Sequence, residues 1–74
     1  MAIYITNVVG ADMILDRGVF TSRDHAFAAA LERSKETVWK MDKFTYFYGK
    51  VDVHVYEITD FRESNYIDEP IKVF

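Results

Sequence analysis

Residues 21–42 hold the chain's clearest helical periodicity, and that stretch constrains the architecture more than any other. Phe27, Ala30, Leu31, Ser34, Val38 and Met41 recur at spacings of three and four, which places them on one buried stripe of a helix. Thr21 or Ser22 caps its start, and Thr21 with Asp24 has the spacing of a capping box, with Asp in place of the usual Glu. Ala26, Ala28, Ala29 and Ala30 raise helix propensity and let the backbone lie close to a sheet. Arg33, Lys35, Lys40 and Lys43 fall in the second half, where cations favour the C-terminal end of the dipole. Glu36 and Lys40 form an i,i+4 pair in the better orientation. The spacing therefore predicts a helix from Thr21 or Ser22 to about Asp42, with one stripe that needs an apolar surface to cover it.

The flanking segments read as strands that supply this surface. Residues 2–9 alternate, with Ile3 and Ile5 on one side and Tyr4, Thr6 and Val8 on the other. Gly10, Ala11 and Asp12 form a turn, so residues 13–20 fold back as the second arm of a hairpin. Gly18 marks a bulge or a place where another backbone comes close. Residues 44–48 and 51–58 are predicted strands on either side of a tight turn at Gly49 and Lys50. Val51, Val53 and Val55 make the core face of the latter, with Asp52, His54 and Tyr56 opposite. Residues 59–74 are acidic and irregular, and after Pro70 residues 71–74 make a short edge strand. The expected fold is a single α+β domain over residues 1–74. It is a two-layer sandwich of order ββαββ, with one helix packed on an antiparallel sheet whose other face is open.

Three stretches carry a resemblance: Ile3-Tyr4-Ile5, the junction Gly18-Val19-Phe20-Thr21-Ser22 followed by Ala26, and Val55-Tyr56-Glu57-Ile58. Together they resemble small uncharacterised domains of bacteria and their phages, over about half of the chain. In those domains a strand ends in a similar turn, a helix opens with an alanine and a later strand closes on the same tripeptide. The resemblance implies a phage or bacterial origin. It implies no activity, so no functional residue is carried over.

Composition limits what the chain can do. A domain of 74 residues buries about 60–65% of its unfolded surface and has a thin stability margin. There is no cysteine, so neither a disulfide nor a thiolate metal site reinforces it, and association is one way to gain stability. The absence of cysteine also fits a reducing cytoplasm, the expected location. The N-terminal stretch lacks the basic region of a signal peptide, and no segment has the ~20 apolar residues needed to span a bilayer. The net charge is −3 and unevenly placed: residues 1–50 carry seven Lys/Arg and six Asp/Glu, residues 51–74 two and six. An acidic final third opposes phosphate backbones, and a solvated tail is its simplest reading.

The candidate site residues follow. Asp52, His54 and Tyr56 share a strand face and offer an acid, an imidazole and a phenol, but no nucleophile or oxyanion hole is marked beside them. No catalytic residue is assigned. His25 and His54 would make half of a metal site only if the fold joined them, so no metal and no cofactor are assigned. Tyr4, Tyr46, Tyr48 and Tyr56 all fall on strands, where several can share the open sheet face as a recognition surface or pack beneath the C-terminal segment. Base stacking on such a face normally requires a basic groove, which this chain lacks, and nucleic acid is disfavoured as a partner. Trp39 falls off the helical stripe. It is either covered by Tyr66 or Ile67 or exposed as an anchor. Glu63 and Asp68 represent the acidic segment, a second contact surface.

The expected function is that of a small, non-catalytic protein-binding module, with a host protein as the partner to be modulated or inhibited. Tyr4, Trp39, Tyr46, Tyr48, His54, Tyr56, Glu63 and Asp68 are its candidate contact residues. The alternative is an oligomeric small-molecule binder or enzyme with its site at a subunit interface, because a deep pocket is hard to build inside so small a layer pair. A homodimer is the expected form in that case, and no membrane partner is expected.

Overall fold

The structure is a computed structural model that describes residues 2–59 and 69–74. Its elements in chain order are β1 (Ile3–Gly10), β2 (Met13–Phe20), α1 (Arg23–Ser34), β3 (Val38–Lys40), β4 (Tyr46–Tyr48), β5 (Asp52–Ile58) and β6 (Lys72–Val73). The described residues form a small α+β fold. One antiparallel sheet has the order β2-β1-β5-β6, and β3 and β4 form a separate two-stranded pair.

The first hairpin closes as its turn residues predict. Ala11 and Asp12 take φ of 53° and 59°, the left-handed pair of a type I′ turn, whose twist matches that of the strands. Register places Tyr4 opposite Phe20, Thr6 opposite Gly18 and Val8 opposite Asp16. The irregularity in this ladder lies at Val8/Val9, across from Leu15, and not at Gly18. At Gly18 a side chain would instead run into the Thr6 hydroxyl and the Phe20 ring.

The valine face of β5 is the core face, as its alternation requires. Val53 and Val55 are fully buried and stand across from Val8 and Thr6 of β1. Ala26 and Ala30 of α1 are also fully buried, and the helix packs on β1, β2 and β5. Small helix residues over branched strand residues bring the two backbones close. Phe20, Phe27, Leu15, Tyr4 and Phe74 ring this centre. Phe74 meets Phe27 edge to face at 5.6 Å, and two backbone hydrogen bonds to Val53 hold it beside β5. The short edge strand after Pro70 is therefore present as β6.

The helix is shorter than its periodicity predicts. Ser22, rather than Thr21, is the N-cap, and its hydroxyl accepts from the His25 N–H at 3.4 Å. The helix ends at Ser34, whose hydroxyl donates to the Leu31 carbonyl, and Lys35 and Glu36 close it with tight i→i−3 bonds. Thr37, Val38 and Trp39 favour extended backbone, so the chain leaves the helix there and forms β3. Val38 and Met41 consequently leave the helical stripe, and Leu31 is exposed. The predicted turn at Gly49 and Lys50 is also displaced. β4 pairs with β3 through a turn at residues 41–45, and Gly49 links β4 to β5. Gly49 sits at φ +147°, a conformation rarely open to other residues, and its N–H donates to the Thr37 carbonyl at 2.8 Å. The expected ββαββ order thus gives way to an extra hairpin between helix and final strands.

Candidate functional site

The β3–β4 hairpin has two unlike faces. Trp39 and Phe47 stand opposite each other and pack against the core cluster. Phe47 is seated where Gly10 ends β1, since a Cβ at Gly10 would meet Leu15 at 2.9 Å, Phe47 at 3.1 Å and Val51 at 3.2 Å. The Trp39 indole N–H donates to the Glu36 carbonyl at 3.3 Å. Alternation then turns Val38, Lys40, Tyr46 and Tyr48 to the opposite side, with Val38 across from Tyr48 and Lys40 across from Tyr46. Tyr48 is 72% exposed, Val38 51% and Tyr46 46%, and Phe44 in the turn is 90% exposed. The Tyr46 and Tyr48 rings lie 6.4 Å apart at 44°.

The turn that carries Phe44 is built by Asp42. Its carboxylate accepts from the backbone N–H groups of Phe44 at 2.9 Å and Thr45 at 3.0 Å. The bond from Phe44 first, then those from Thr45, hold the Asp42 carboxyl below its ordinary range.

The main-sheet face turned away from the helix is different. Arg17, Asn7 and His54 form one cross-strand row, with Arg17 Nε donating to Asn7 Oδ1 at 2.9 Å and Asn7 nearly buried. His54 and Tyr56 follow on β5 with rings stacked at 6.4 Å and 26°. Ile3, Ile5 and Ile58 share this face, and Val19 is exposed beside them.

On the helix side, Tyr4 donates to Glu57 at 2.8 Å, and Arg23 of α1 reaches the same carboxylate oxygen at 3.0 Å. The bonds from Tyr4 and then Arg23 pull the Glu57 carboxyl below its ordinary range. The bond to Glu57, followed by burial, raises the Tyr4 phenol. A second tie, Arg33 to Asp16 at 3.2 Å, joins the last helical turn to β2. These contacts dock the helix on the sheet.

The expected contact residues are thus scattered. The four tyrosines do not share the open sheet face. Tyr4 lies on the helix side, Tyr46 and Tyr48 lie on the hairpin, and of the four only Tyr56 joins His54 on the sheet face turned away from the helix. Trp39 is half-buried against the core, and Glu63 and Asp68, with Tyr66 and Ile67, lie outside the described residues. His25 starts the helix on one side of the sheet while His54 faces away on the other, so the fold does not join them. Sequence reasoning missed Val38 and Phe44, because it placed the first on a buried helical stripe and the second in a strand. No described helix is long and apolar enough to cross a membrane. Compared with family models, curated proteins and solved structures, the chain matches none.

Proposed function

We propose that this chain is a small, non-catalytic protein-binding module whose contact surface is the outer face of the β3–β4 hairpin. The supporting observation is that Val38, Phe44, Tyr46 and Tyr48 are exposed together on an element whose other face is anchored in the core. Isolated exposed apolar residues are ordinary on a small protein, whereas a clustered set is the mark of an interaction site. Tyrosine supplies large contact area at low entropic cost and a hydroxyl for a partner, which makes it a frequent hot-spot residue. The anchored inner face keeps the hairpin in place before binding, which lowers the ordering cost. The cytoplasm remains the proposed location, with another protein of the same cell as the partner.

The test is photo-crosslinking in the producing cells, with benzoylphenylalanine placed at Tyr48 in one variant and at Val19 of the open face in another. The hairpin reading predicts a discrete protein adduct from position 48 and none from position 19. An adduct from position 19 alone would move the contact surface to the open sheet face.

A further inference from the structure

We infer that the hairpin's outer face takes an acidic, extended segment of its protein partner, an inference that rests on the binding role proposed above. Lys40 stands on the face, across from Tyr46, while Lys43 precedes Phe44 in the turn and Lys50 lies two residues past Tyr48, after Gly49. Three exposed lysines therefore accompany the exposed aromatic set, and one of them, Lys40, stands on its face. The described ion pairs are Arg23–Glu57 and Arg33–Asp16, so these three lysines have no acidic partner among the described residues. Of the two acids in residues 35–50, Asp42 is engaged by the turn's N–H groups and Glu36 precedes the hairpin. Residues 35–50 carry four lysines against those two acids, while the other positions carry five Lys/Arg against ten Asp/Glu. The remainder of the chain thus repels an acidic partner and the hairpin attracts it, which is how charge steers association toward one patch.

The hairpin's edges supply the extended geometry. β3 and β4 pair only with each other among the described strands, so each has an outer edge that no described strand joins, the kind of edge that takes an added strand. In a strand added at either edge alternate side chains fall on the tyrosine side, where acids and apolar groups at those positions lie beside the Lys40, Val38, Tyr46 and Tyr48 side chains of the edge they join. A nucleic-acid strand fits less well. The Tyr46 and Tyr48 rings are tilted at 44° and do not offer parallel faces to successive bases.

The experiment is fluorescence anisotropy on the whole chain with four labelled probes: a short peptide with a Glu-Ser-Leu-Ser repeat, which sets Glu and Leu on one face of an extended strand, its Gln and Lys counterparts, and poly-dT. The Glu peptide is expected to bind, the Gln peptide about tenfold more weakly, and the Lys peptide not at all. Added salt and the Lys40→Glu/Lys43→Glu variant should each weaken the Glu peptide by a similar factor, with circular dichroism showing that the variant is folded. If Glu and Gln peptides bind alike and both depend on Tyr48, the acidic preference is overturned while the contact surface stands. Binding of poly-dT in place of the Glu peptide, or no binding of any peptide, overturns the inference. So does a dimer in sedimentation that Tyr48→Ala dissolves, since the face is then occupied by a second copy. The crosslinking at position 48 tests the underlying role without reference to charge, so the two failures are distinguishable.

Discussion

Trp39 and Phe47 face each other across the β3–β4 pair on the side turned to the core. That one pairing sets the orientation of the hairpin, because alternation then forces Tyr46, Tyr48, Val38 and Lys40 outward.

The seat of Phe47 depends on the missing side chain at Gly10. Gly10→Ala should push into Leu15 and Phe47 and lower stability by about 1–3 kcal/mol in urea unfolding. Combined with Leu15→Ala, its cost should shrink well below additivity, since the nearest clashing atom is then gone. Strict additivity would show that Leu15 is not what the added methyl meets.

The valine face makes a simpler demand. Val53 is fully buried between β1 and the helix, so Val53→Asp should cost on the order of several kcal/mol, enough to unfold a domain of marginal stability. Circular dichroism melts should show the loss, and the exposed neighbouring position, tested as Asp52→Asn, should melt close to wild type.

The first turn holds Ala11 at φ 53°, where an alanine is strained. Ala11→Gly should raise the unfolding free energy by about 1 kcal/mol, an effect of turn conformation rather than of contacts. A destabilised variant would mean that the turn is not left-handed at this residue.

Acid should loosen the fold through two carboxylates. Glu57 and Asp42 both titrate below their ordinary range in the folded chain. Their contribution is present above the unfolded carboxylate pKa and is lost as pH falls through that range toward the folded values. Stability should therefore decline below about pH 5, and less steeply in Glu57→Gln than in wild type. The Tyr4 phenol is raised, so its contribution is present below the ordinary tyrosine range and lost as pH rises through the folded value. Tyr4→Phe should flatten that alkaline limb.

Much of the main sheet was legible in the sequence because period-two alternation with a valine face has one good reading. Val51, Val53 and Val55, the turn at Ala11 and Asp12, and the strand after Pro70 all follow from local pattern. The hairpin did not, because residues 35–42 satisfy two patterns at once. Val38 and Met41 continue the spacing of Phe27 and Leu31, and no Gly or Pro interrupts them. The helix stops because Thr37, Val38 and Trp39 favour extended backbone and because Trp39 gains a partner in Phe47, a contact between residues distant enough that helical periodicity carries no sign of it. The tyrosines were legible as strand residues, but whether they share a face is a matter of topology that alternation alone does not fix.

The division of the hairpin into an anchoring face and a free face is tested most directly by unfolding two neighbours side by side. Phe47→Ala removes a ring packed on the core and should lower the unfolding free energy by about 2 kcal/mol or more. Tyr48→Ala removes a ring that is 72% exposed and should change it by no more than about 0.5 kcal/mol, leaving a folded protein whose contact surface alone is altered. If Tyr48→Ala proves as destabilising as Phe47→Ala, the tyrosine belongs to the core and the outer face is not a surface held ready for a partner.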